Sequence, residues 1–171
     1  MTRLVEPPRL VLPTVEVGTS YLVGEQADCR CEGRPTDWLD AASVGFAGFV
    51  AARREVQPRW GVPSTLFWYV SGEYCLGALV VRHELTAELA EAGGRIGYHV
   101  VSPWRGQGHA TRMLTAGLTE CRRLGLERVL LTCEADNERS RRAILSNGGV
   151  PDGRRRGEDR FWIELDSDAA A

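Results

Sequence analysis

The run Trp104-Arg105-Gly106-Gln107-Gly108-His109-Ala110 carries the residue types that seat an anion. Its glycines let the backbone come close to a ligand at a helix start, where free N–H groups and the positive end of the helix dipole meet. Such a nest suits a pyrophosphate, and the forked guanidinium of Arg105 supplies a further donor. A tight strand-to-helix turn without ligand uses the same residues, so the neighbouring elements decide between the two. Dinucleotide binding is the poorer match. In G-x-G-x-x-G/A the third small residue falls at Thr111, the loop begins only after residue 100, and no second nucleotide-binding half follows.

The elements that hold this loop are legible on both sides. Arg95 to Val101 reads as a strand closed by Ser102-Pro103. After it, Ala110, Met113, Leu114, Gly117, Leu118, Cys121 and Leu124 recur at helical spacing, which predicts an amphipathic helix over 107–124 with Gly125 as its stop. Arg128 to Glu134 is an apolar run of strand length, and Asn137 to Asn147 a helix ended by Gly148-Gly149. Upstream, Thr65 to Val70 and Tyr74 to Arg82 form an antiparallel hairpin about Ser71-Gly72-Glu73, and Thr86 to Glu91 a helical turn. Val150 to Asp152 and Arg160 to Leu165 read as closing strands around a charged loop over 153–159. The first 60 residues are weakly patterned, with Thr36-Asp37 capping one helix from Trp38 to Arg54.

Composition narrows the chemistry. The 171 residues make one domain, 43% hydrophobic and 26% charged, which is enough apolar material for a real core. A formal charge of -2 promises no field for nucleic acid or anionic lipid. All 21 basic residues are arginine, which removes lysine Schiff-base chemistry and any G-K-[ST] phosphate loop. Five cysteines, Cys29-x-Cys31 among them, lack C-x-x-C spacing, and His83, His99 and His109 are scattered, so no metal site is expected. Met1 to Thr19, broken by three prolines and carrying acids, does not resemble a signal peptide, and the apolar run Ser43 to Ala52 is too short for a bilayer, so a reducing cytoplasmic setting is expected.

Arg105-Gly106-Gln107-Gly108-His109-Ala110, between a strand and an amphipathic helix, resembles the R/Q-x-x-G-x-G/A signature of the GNAT acyl-CoA N-acyltransferases. Gly61 to Thr65, Arg82 to Leu85, Ile96-Gly97-Tyr98 and Leu131 to Gly149 are similar to a branch of predicted acetyltransferases in that family. The resemblance implies one mixed α/β domain, a splayed mixed sheet flanked by helices. Residues 1–60 would form the acceptor side, 61–165 the acetyl-CoA core and 166–171 a tail. It further implies acetyl-CoA as co-substrate, without a metal, and a small-molecule amine as acceptor, and it leaves a homodimer open. The alternative is a non-catalytic acyl-CoA sensor or partner-binding module on the same fold.

By the same resemblance the pyrophosphate lies on the amides of Arg105, Gly106, Gln107, Gly108, His109 and Ala110, beside Thr111, and the pantetheine runs along Val100 and Val101. Asn137 matches the family asparagine that contacts the pantetheine arm, and Ser140 the small residue one turn later; both positions also serve as plain helix caps. Arg139, Arg141 and Arg142 lie where the family binds the ribose 3'-phosphate, or are simply solvated. Amide formation needs an unprotonated amine, although an alkyl ammonium titrates at about 10.4. Glu84 and His83 are the candidate bases, with Glu134 and Asp136 in reserve; the alternative for Glu84 is a turn cap. The tyrosine that many relatives use to protonate the thiolate is replaced by Ile144, leaving Tyr98 and Ser140 as substitutes. Trp60, Phe67, Trp68 and Tyr69 line an acceptor pocket or belong to the core.

Overall fold

The computed structural model describes residues 4–59 and 61–165. The chain opens with a short strand β1 (Arg9–Val11) and three helices, α1 (Gly18–Glu32), α2 (Asp37–Val44) and α3 (Phe46–Arg54). Strands β2 (Gln57–Arg59), β3 (Val62–Ser71) and β4 (Tyr74–Arg82) follow, then helix α4 (Ala87–Glu91) and strand β5 (Ile96–Val100). The remainder runs α5 (His109–Arg123), β6 (Arg128–Glu134), α6 (Glu138–Ser146), β7 (Val150–Arg155) and β8 (Glu158–Glu164).

Aromatic and β-branched residues make β3 and β4 a long antiparallel hairpin, with Ser71 opposite Tyr74. β4 pairs antiparallel with β5, Gly77 facing Val100 and Val81 facing Ile96. These strands, with β1 and β2, form one sheet, and β6, β8 and β7 form another. The expected splayed mixed sheet is present as two antiparallel sheets set edge to edge. Where they meet, β5 and β6 run the same way, because the Arg95 amide donates to the Leu130 carbonyl at 2.8 Å while Tyr98 lies near Cys133. Beyond Arg95 no backbone hydrogen bond joins the two strands among the described residues, so the sheets part toward Val100. Gly94 makes the closed end possible: its φ is +60° and a Cβ there would stand 2.7 Å from the Leu130 carbonyl oxygen.

Helices cover both faces. On one, Ile96 and Val100 of β5 pack with Met113, Leu114 and Leu118 of α5 and Ile144 of α6. On the other, Tyr21, Val50, Trp68 and Ala78 gather with Phe46 and Phe49. Tyr21 stacks on Trp68 with ring centroids 4.2 Å apart. Phe67, Trp68 and Tyr69 thus belong to the two cores; Trp60 lies outside the described residues.

Three expectations change. The single helix over 38–54 is two helices, broken at Gly45, whose ψ of 45° cannot continue an α-helix. The loop over 153–159 contracts to a turn at Arg156-Gly157, because β7 and β8 extend toward each other and Arg154 binds Asp159 at 2.7 Å. Helix α1 has no counterpart in the sequence reading. Its buried residues, Tyr21, Gly24, Glu25, Asp28 and Cys29, fall at helical spacing, but acids occupy positions where apolar residues signal a helix. No described helix is long and apolar enough to cross a membrane.

Candidate active site

Gly106 and Gly108 have φ of 77° and 76°, and Gly108 is the left-handed residue that starts α5. Glycine adopts this region without the steric penalty that other residues meet. The amides from Gly106 to Thr111 make no hydrogen bond to described residues; the helix ladder begins with Arg112 N–H on the Gly108 carbonyl, at 3.3 Å. They stand at a cleft of about 610 Å³, lined also by Tyr98, His99, Val100, Asn137 and Ser140. The loop and β5, neighbours in sequence, therefore share one hollow with the more distant α6 at the open end of the splayed sheets.

Arg105 plays a different part from the one expected of its side chain. Its Nη2 donates to Asp28 Oδ1 at 2.7 Å and Glu32 Oε1 at 2.9 Å, and its Nε to the Val100 carbonyl at 2.8 Å. Asp28, 1% exposed, also accepts the Ser102 amide at 2.8 Å. The guanidinium ties α1 to the end of β5 and to the turn before the nest, and its own amide closes on the Ser102 carbonyl. Arg112, which sequence reading passed over, bends across the loop to the Gln107 carbonyl at 2.9 Å and His109 Nδ1 at 3.2 Å. Burial and the Arg112 charge lower the His109 pKa, which keeps that ring neutral.

On β5, the Val101 amide donates to the Leu76 carbonyl on β4, so strand alternation turns the Val100 amide to the unpaired edge. Val101 itself is buried against Gly24 of α1, off the cleft, which corrects its expected place along the pantetheine. Tyr98 reaches across the gap, its hydroxyl 2.8 Å from Ser140 Oγ, and burial raises its pKa. That phenol stays protonated at neutral pH and can give a proton. Asn137 caps α6, accepting the Ser140 amide at 3.1 Å, and also stands in the cleft wall. Arg139 and Arg142 line the same wall, whereas Arg141 is half-buried and paired with Asp159.

His83 and Glu84 are not at the cleft. β4 and β5 are antiparallel, so the end of β4 lies beside the start of β5; Arg82 N–H binds the Arg95 carbonyl, while the cleft is at Val100. Proximity in sequence pointed to the wrong end of the strand. His83 bonds Thr65 Oγ1 at 2.8 Å, and Glu84 is exposed. Glu134 and Asp136 also lie outside the cleft lining. The residue missed is His99, whose Nε2 sits 3.0 Å from Oε1 of the buried Glu25. Its signal was the i, i+2 pattern: Tyr98 and Val100 face the α5 core, so His99 must face α1. Among the described residues no group of His, Cys, Asp or Glu could hold a metal ion.

A family model described as an acetyltransferase (GNAT) domain matches residues 37–150. No curated protein matches the chain. Among solved structures, Mycobacterium smegmatis RimJ in complex with CoA-disulfide is 19% identical, with a TM-score of 0.66 over 99% of this chain and 90% of that one. The microcin C7 self-immunity acetyltransferase MccE, in complex with acetyl-CoA and AMP, is 14% identical, with a TM-score of 0.65 over 94% and 93% of the two chains. A Salmonella typhimurium acetyl transferase that modifies the N-terminal serine of ribosomal protein L7/L12 is 17% identical, with a TM-score of 0.61 over 95% and 96%. At these identities the likeness is one of fold. The family model spans more than half of the sequence, nest included, and the chain belongs to the GNAT acetyltransferase family.

Proposed function

We propose that the protein transfers the acetyl group of acetyl-CoA to a primary amine of a small molecule by direct attack within a ternary complex. The observation that carries this reading is the run of amides from Gly106 to Thr111, unpaired among the described residues, in a loop that lines the cleft where β5 parts from β6. Those amides, at the N-terminus of the 15-residue α5, fit a diphosphate. The unpaired edge of β5 and Asn137 fit an amide-bearing arm, and Arg139 and Arg142 fit a further phosphate. Acetyl-CoA supplies the activated acetyl group. The Val100 amide is a donor placed on that edge to hold a developing oxyanion, and the Tyr98 hydroxyl, oriented by Ser140, is the proton source for a leaving thiolate.

A cationic amine acceptor is supported by the buried carboxylate of Glu25, which stands behind His99 on the α1 side; Glu32, also at the cleft, is paired with Arg105 and Arg34. Thermal unfolding tests the reading first. Acetyl-CoA at a hundred times its Kd should add about 2.7 kcal/mol, which for a chain of this size raises Tm by roughly 5–10 °C; no shift rejects the assignment. Thiol release is then measured with a diamine, an aminoglycoside, an amino-acid amide and a peptide with free N-terminal serine. Turnover of the peptide alone rejects the small-molecule acceptor. Tyr98→Phe should lower kcat about tenfold to a hundredfold at unchanged CoA affinity, because a thiol of pKa about 8.5 leaves passably with water as acid.

A further inference from the structure

We infer that His99 is the base that takes the proton from the acceptor amine, with Glu25 setting the tautomer of its ring; this rests on the transferase reading above. His99 sits between Tyr98 and Val100 on β5, and alternation directs its side chain to the α1 side, opposite Tyr98. Its Nε2 lies 3.0 Å from Glu25 Oε1, in a pair whose carboxylate is 9% exposed and whose imidazole is 43% exposed. An ionised carboxylate only accepts, so in the neutral ring the hydrogen is on Nε2 and the lone pair on Nδ1. Nδ1 makes no hydrogen bond to described residues, and His99 is among the residues that line the cleft. A carboxylate fixing one imidazole nitrogen so that the other can take a proton is the arrangement that base catalysis requires.

The chain has 3 histidines, and the other two are unsuited to the task. His109 is 4% exposed and its Nδ1 faces Arg112; His83 is bonded to Thr65 at the far end of the sheet. The remaining titratable groups near Glu25 are occupied or neutral. Burial pushes Cys75 up to about 12 and raises Tyr21, with the Glu25 charge adding to both, and Asp28 is paired with Arg105. Glu25 is thus the charge that faces His99. Burying a carboxylate costs more than burying a leucine, and a purely structural position on α1 would be better filled by an apolar residue.

The step balances. One proton passes from the ammonium to His99 Nδ1 and on to solvent, and the amine lone pair forms the N–C bond at the thioester carbonyl. The C–S bond then breaks, the thiolate takes the Tyr98 proton, and the second amine proton, lost through His99 to solvent, is balanced by the one that Tyr98 regains from solvent. Ammonium and thioester become amide, free thiol and one released proton.

The test reads the protein alone and then its turnover. Long-range 1H–15N spectra of the free enzyme, with His99 assigned through His99→Gln, should show the neutral ring as the Nε2–H tautomer; Glu25→Leu should mix the tautomers. His99→Gln should lower kcat at least a hundredfold with the fastest amine of the panel and abolish the acid limb of the pH profile. Glu25→Gln should lower kcat with little change in KM, and both variants should bind CoA as the parent does. A His99 ring in the Nδ1–H form, or a His99→Gln variant within threefold of the parent's kcat, overturns the inference. Failure of the parent to bind CoA rejects the transferase reading instead, and the tautomer decides the dyad even where no panel amine is turned over.

Discussion

Gly108→Val should weaken CoA binding at least a hundredfold. Gly108 holds φ at 76° and opens α5, and a Cβ there would meet Arg112 Nη1 at 3.0 Å. A β-branched residue is strained in that conformation by about 1–3 kcal/mol, so the loop relaxes to negative φ and the amides from Gly106 to Thr111 no longer converge. Losing two hydrogen bonds to a charged ligand removes about 3–4 kcal/mol, a change of roughly 100- to 1,000-fold in Kd. Calorimetric titration with CoA measures it, and circular dichroism checks that the variant is folded. Affinity within threefold of the parent would show that the loop backbone is not what holds the ligand.

Asp28→Ala should cost about 2–4 kcal/mol of stability, lowering Tm by roughly 5–12 °C. Asp28 is 1% exposed and accepts both the Ser102 amide and the Arg105 guanidinium. Its removal leaves two donors without an acceptor, and Arg105, half-buried, keeps only Glu32 and the Val100 carbonyl. Because the same guanidinium fixes the end of β5 beside the nest, CoA affinity should fall by about tenfold as well. The double variant Asp28→Leu with Arg105→Leu separates charge pairing from packing. It should be more stable than Asp28→Ala, since removing both partners is gentler than stranding one. A double variant less stable than Asp28→Ala would contradict this account of the pair.

Much of the C-terminal half was legible because hydrophobic pattern and structure agree there. β6 spans the residues read as a strand, and α5 lies within the helix drawn from Ala110, Met113, Leu114 and Leu118. The loop was legible because two positive-φ positions require glycine and the sequence places glycine at both. What was hidden is the α1 side. The helix that carries Glu25 and Asp28 has a polar buried face, so the rule that finds helices by apolar periodicity passes over it. His99 was hidden with it, since its importance lies in a partner 74 residues away. His83 and Glu84 lie away from the cleft for a topological reason: a sequence shows that β4 precedes β5, but not that their antiparallel register sends the end of one to the start of the other. Ile144, where a tyrosine was missing, is buried in the core, and the hydroxyl proposed above as the proton source is that of Tyr98 on β5, held by Ser140.

Hydrogen exchange of the backbone amides, with and without CoA, reaches the central claim most directly. Unbonded amides exchange freely, and those that grip a ligand become protected. Saturating CoA is expected to slow exchange across residues 106–111 and at the Val100 amide, leaving β7 and β8 unchanged. Bound CoA with no added protection between Gly106 and Thr111 would contradict the account.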